Sequence, residues 1–298
     1  MGKSKRNRPK AESNRAQRLA HRQAVREQSE RVNARPFEGF VAECDLVALR
    51  EFVPSATAPL AGRDGRKIVL ATVLPGAVAA LVREENGEPV GYVGLQVQAQ
   101  SDDPAADLAA AATWAQTAAP GDSLAAADPT SGAALRDVLD PDADLEVTVH
   151  QDFNWWIPEG VEPAPDVAAT VQRANELIMP SARLDGLRAA WWVDAGEKAH
   201  LRWVRPESED DLMLALARLH ASGGLHVGEG SRFAGSFRTH GLLVPVFDLD
   251  PERHPVEWTA PAAEFGERLT AALQVQDPLT AAERRSRDGL RSRQVTLR

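Results

Sequence analysis

Four arginines, Arg15, Arg18, Arg22 and Arg26, recur at intervals of three, four and four residues. On a helix, at about 100° per residue, they share one face roughly 80° wide. Guanidinium groups in such a row repel one another and weaken the helix in isolation. A polyanion laid along them removes that cost, so the row reads as a nucleic-acid contact that folds on binding. A second cationic pattern lies in "GLHVGEGSRFAGSFRTHG". Its glycines, among them Gly228, Gly230 and Gly235, permit backbone N–H groups to approach an anion. Arg232, Arg238 and His240 supply charge there, so Gly230, Arg232, Arg238 and His240 form a candidate pocket for an anionic small molecule. The plainer alternative is a long β-connection whose glycines make turns and whose arginines pair with carboxylates. The stretch matches neither a Walker A loop nor a dinucleotide fingerprint.

Other reactive side chains carry less. Ser231 and Ser236 lie near His240 and Asp248 in sequence, but no G-x-S-x-G elbow frames them. Cys44 precedes Asp45 where a helix starts, a position that favours a thiolate; beside Val41 and Leu46 it reads first as a small core residue. Glu43, Asp45, Arg50 and Glu51 read as capping and surface charge on the same helix. His220 and His226 bracket "ASGGL" with no further ligand at metal-binding spacing. Among seven tryptophans, only Trp203 sits between arginines, Arg202 and Arg205, as base stacking would require. Core packing is the simpler use for them. No residue is assigned a catalytic role, and the sequence names no cofactor and no metal.

The elements that must hold these groups follow from periodicity and turn chemistry. Glu43–Val53 has helical spacing and stops at Pro54. "KIVLATVL" is a strand, and two more flank Asn86-Gly87, a hairpin turn. Asp103-Pro104 opens an alanine-rich helix to about Thr117, and residues 118–143 read as a loop with one short helix. Leu145–His150 is a strand followed by "FNWWIPEG"; Pro165–Met179 is a helix. A second hairpin surrounds "DAGEK", and Glu207–Ala221 is a helix with an acidic first turn. A strand at Leu242–Asp248 and a helix at Pro261–Leu273 complete the series. Hairpin followed by acidic helix start occurs twice. The fold class is therefore α+β: antiparallel sheets covered by helices, with room for two similar β-β-α units.

Charge divides the chain. Residues 1–35 carry a net +8, residues 281–298 a net +4, and residues 36–280 a net −21 within a total of −9. This predicts a basic N-terminal segment (1–35), a folded body (36–280, with halves 36–143 and 144–280) and a basic C-terminal tail (281–298). The body repels nucleic acid; the ends attract it. Docking of the ends on their own body is the competing use of the same charges. One cysteine excludes an internal disulfide and suits a reducing cytoplasm. No apolar run reaches the length of a membrane-crossing helix, and no h-region follows the charged leader.

The phrases "ECDLVALREFVPSATAPL" and "GSFRTHGLLVPVFDLDP", behind a basic leader, resemble an actinobacterial family of unknown function. Some of its members are labelled SecA-like because a short SEC-C zinc motif precedes the domain. Here the leader has no cysteine and only His21, so that motif is missing. The resemblance implies a bacterial cytosolic domain to which a leader is attached, and no activity. On these grounds the sequence points to a non-catalytic accessory protein holding RNA, the ribosome foremost, through its basic ends. The alternative is an enzyme or small-molecule binder built on the candidate anion pocket.

Overall fold

The computed structural model describes residues 35–60 and 65–296. Two six-stranded sheets and, among the described residues, seven α-helices make a mixed α and β architecture. The first sheet contains β1 (Ala56–Pro59), β2 (Ile68–Ala71), β3 (Ala80–Glu85), β4 (Glu88–Gly94), β5 (Ser123–Leu124) and β6 (Thr148–Val149). Helix α1 (Glu43–Glu51) precedes them, and α2 (Pro104–Thr117) and α3 (Leu135–Val138) lie between β4 and β6. Next come α4 (Pro165–Leu177), β7 (Ser181–Arg183), β8 (Ala190–Asp194), β9 (Ala199–Trp203) and α5 (Glu209–Ala221). The chain continues through β10 (Arg232–Thr239), β11 (Leu242–Leu249), α6 (Thr259–Leu273), α7 (Ala281–Arg291) and β12 (Gln294–Thr296).

Local chemistry explains most boundaries. Asp103 caps α2, its carboxylate accepting from Ala106 N at 3.0 Å, and Pro104 takes the first helical position. Ser208 caps α5 in the same way through Asp211 N at 3.2 Å. Asn86 and Gly87 both adopt positive φ, 53° and 82°, as the tight β3–β4 turn demands.

Strand order runs β6-β1-β2-β4-β3-β5 in one sheet and β7-β8-β9-β11-β10-β12 in the other. The sheets are antiparallel, as expected, apart from one parallel pair in each, β2/β4 and β10/β12. The two hairpin-plus-helix units exist, as β3-β4-α2 and β8-β9-α5, but they hold different places: one is the second hairpin of its sheet, the other the first. Because β6 belongs to the first sheet, the change of sheet falls after residue 149, not near residue 143.

Helix α1 lies between the sheets. Leu46 and Leu49 share a core with Ile68, Leu70 and Val93 of one sheet and Trp191, Leu242 and Val244 of the other. Alternation along the strands sends the neighbouring side chains outward: Val69 and Tyr92 into a small outer cluster, Trp192, Leu243 and Phe247 into a core beneath α5, α6 and α7.

Residues 281–298 were expected to extend beyond the body as a basic tail; through residue 296 they are built into it. Helix α7 carries one fully apolar anchor, Leu290, buried against α5, and β12 then pairs in parallel with β10. The expected Gly-rich connection is likewise partly strand: β10 begins at Arg232. Gly235 sits at a bulge in it with φ 155°, and a Cβ there would lie 2.8 Å from the Arg293 carbonyl oxygen. The glycine serves the close passage of the incoming β12.

Candidate functional site

The corner where α5, α6 and α7 meet gathers cations on a folded surface. Helix α7 starts at a capping box: Thr280 Oγ1 accepts from Glu283 N at 3.3 Å, and the Glu283 carboxylate accepts from Thr280 N at 2.6 Å. These bonds hold the Glu283 carboxyl below its ordinary range. Arg284, Arg287 and Arg291 then recur at three and four residues, placing them on one face. Arg284, Arg285 and Arg291 are exposed; Arg291 pairs with Asp210 at 3.2 Å, and Arg287 with its neighbour Asp288 at 3.0 Å.

Helix α5 meets this face with Asp211, Leu214 and Arg218, spaced for a single side. Between the helices the connection from Leu273 to Leu279 forms a wall, and the open cleft so framed measures about 380 Å³. Arg218 donates to the Asp277 carbonyl at 2.6 Å, and Arg284 donates to the Leu279 carbonyl. Both guanidinium groups are thus pinned by neutral acceptors of one loop, leaving further N–H donors on each. Asp211 accepts from Ser208 Oγ at 2.7 Å. Positioned N–H donors and an apolar floor, with Asp211 and Asp277 on the lining, suit a phosphate attached to a less polar body.

The residues expected from the sequence fall elsewhere. Arg15, Arg18, Arg22 and Arg26 lie outside the described residues. Arg232 and Arg238 lie on β10, six residues and roughly 20 Å apart, with Gly230 just before the strand and His240 just after it. Gly230 packs against Asp250 and Trp258. Arg232 pairs with Asp248 at 2.8 Å, Arg238 with Glu209, and His240 Nε2 with Glu51 Oε1 at 2.7 Å. The structure does not bring these cations to one point, and each is engaged by a carboxylate. Ser231 closes a turn, donating to the Gly228 carbonyl at 2.7 Å. Burial, reinforced by the charges of Glu43 and Asp45, pushes the Cys44 thiol up to about 12, so at neutral pH it is a protonated core group. Glu43 holds Arg35, and Asp45, fully buried, holds Arg183 at 2.8 Å.

A second constellation escaped sequence reasoning. The "FNWW" loop covers the outer face of the first sheet: Trp155 stacks between Tyr92 and His150, with ring centres 6.3 and 5.3 Å away. Its indole N–H donates to Ser55 Oγ at 2.9 Å, and Trp156 donates to the Val73 carbonyl at 3.1 Å. Arg83 donates to Tyr92 Oη at 2.7 Å and to both tryptophan carbonyls, while Tyr92 donates to Glu85 at 2.6 Å. Burial, with that bond to Glu85, pushes the Tyr92 hydroxyl up to about 12; burial likewise lowers His150. Every indole and phenol donor here is used, so the constellation closes a sheet face. The signal was present as an aromatic pair following a strand, and as Arg83 and Glu85 alternating on one face. Arg218 was missed differently: its partner helix begins more than 60 residues on.

The chain belongs to a family of unknown function, DUF5926, which it matches over residues 36–298. No curated protein and no solved structure matches it.

Proposed function

We propose that this family member is a non-catalytic accessory protein that holds RNA, the ribosome being the natural target, through the basic residues 1–35 and the arginine face of α7. The observation that carries the reading is the placement of charge. A body with net −21 over residues 36–280 is followed by a helix, α7, on which Arg284, Arg285 and Arg291 are exposed, and is preceded by a +8 segment. Acidic surface opposes non-specific adsorption everywhere else, so RNA engages at the basic regions alone. Contacts of this type go to phosphates, giving affinity that falls steeply with salt and tolerates sequence. A basic leader on a bacterial cytosolic domain, as the resemblance to an actinobacterial family implies, fits that use.

Filter binding of the full chain to a single-stranded RNA across a salt series tests it. Replacing Arg15, Arg18, Arg22 and Arg26 together by alanine should flatten the slope of log K against log salt by about 3, at about 0.7 for each phosphate that an arginine neutralises. An unchanged slope, or no binding by the wild type at low salt, overturns the reading.

A further inference from the structure

We infer that the cleft framed by α5, α6 and α7 seats a single phosphorylated nucleotide, its phosphate on Arg218, Arg284 and Arg287. This deepens the RNA reading, on which it rests, by naming the part of an RNA that the corner takes: a phosphorylated end.

Geometry and chemistry converge on that ligand class. The three arginines come from two helices and line one cavity, whose 380 Å³ lies at the small end of the roughly 300–1,000 Å³ that hold small ligands. Elsewhere on this body many arginines are paired to carboxylates, as Arg35 to Glu43, Arg183 to Asp45 and Arg205 to Glu207. The guanidinium groups of Arg218 and Arg284 instead make their only hydrogen bonds among the described residues to the backbone carbonyls of Asp277 and Leu279. A carbonyl orients a guanidinium without cancelling its charge, which leaves planar N–H pairs for a phosphate. The acidic groups nearby are Asp211 and Asp277 on the lining, Glu283 facing Arg218, and Asp288 on Arg287. Three guanidinium groups against four carboxylates give the corner no positive surplus, so it takes an anion through directed N–H donors, which limits it to a single phosphate. Asp211 further offers an acceptor for a ribose hydroxyl. Leu214, Leu273, Val275 and Leu279 supply an apolar floor against which a base can lie, and Val275 is exposed on it.

The phosphate could arrive on a free nucleoside monophosphate or on the 5′ end of an RNA, and the same assay separates them. Full chain is titrated with uridine 5′-monophosphate, and with one short oligouridylate carrying either a 5′-phosphate or a 5′-hydroxyl. The wild type should bind the phosphorylated oligomer about tenfold more tightly than the hydroxyl form, the scale of one charge-assisted contact set. That ratio should fall to about one in Arg284→Ala and in Arg218→Ala. Arg284 is exposed and alanine suits a helix, so its variant should keep the wild-type melting temperature. Arg285→Ala, on the ridge outside the cleft, should weaken both oligomers alike and preserve the ratio. If both oligomers bind equally to the wild type, the nucleotide seat is wrong while the RNA reading stands. If only the monophosphate binds, with loss in Arg284→Ala, the seat stands and the RNA reading falls. Failure of all three ligands to bind removes both.

Discussion

The two sheets place five strands in the same order, β1-β2-β4-β3-β5 and β8-β9-β11-β10-β12, yet differ in how the second hairpin runs. In the first, β2 is parallel to β4, so β3 runs back against β2 and a short link containing Pro75-Gly76 suffices. In the second, β9 is antiparallel to β11, which makes β10 run parallel to β9. Such a return needs a crossover, and α5 supplies it. Reversing one hairpin therefore dictates an extra helix, and that helix provides Asp211, Leu214 and Arg218. The outer faces differ as a result. Three helices cover the second sheet with an apolar core, whereas the first is closed by a tryptophan loop tied down with hydrogen bonds. The basic corner exists only where helices meet.

That contrast can be broken from its middle outward. Trp191 is fully buried on the face of the second sheet that α1 shares, so Trp191→Ala should cost about 3–5 kcal/mol in urea unfolding. Trp155→Ala, in the half-exposed loop, should cost clearly less; equal losses would show that the outer closure is as important as the shared core. A smaller effect is expected at the edge. Gly235→Ala sets a Cβ 2.8 Å from a backbone oxygen of Arg293 and strains φ, so it should destabilise by about 1–3 kcal/mol and expose β12 amides to hydrogen exchange. Unchanged protection of β12 would mean that the close passage matters little.

The smallest effect is one of slope. Burial alone would raise Glu51, but its hydrogen bond and ion pair with His240 bring it below the ordinary carboxylate value of 4.5. A depressed carboxyl stabilises the fold above its unfolded pKa and loses that contribution as pH falls through 4.5 and below. Asp45 acts in the opposite sense: burial raises it, outweighing Arg183 and Arg188, so acidification relieves it. Glu51→Gln should therefore make stability less sensitive to acid between about pH 5 and 3. An unaltered acid limb would place the sensitivity on other carboxylates.

Sequence reasoning reached elements whose ends have their own chemistry. Asp103-Pro104, Asn86-Gly87 and Ser208 with its acidic successors each identify a boundary through local bonds. It failed where a residue serves a distant partner. Gly228, Gly230 and Gly235 made β10 look like a loop, although Gly235 answers to Arg293, 58 positions on. Residues 281–298 looked like a tail because arginines outnumber apolar groups, and the single anchor Leu290 carries no periodicity. For the candidate site, spacing within α5 and within α7 was legible. Their junction was not, since it depends on how three helices stack.

Helix α1 makes independence of the halves impossible. Its side chains reach Arg183 and His240, 138 and 189 residues later, so its apolar surface has no complete home until the second sheet has arrived. The chain should thus unfold as one cooperative block despite having two sheets, and its refolding must wait on encounters that are remote along the backbone and correspondingly slow.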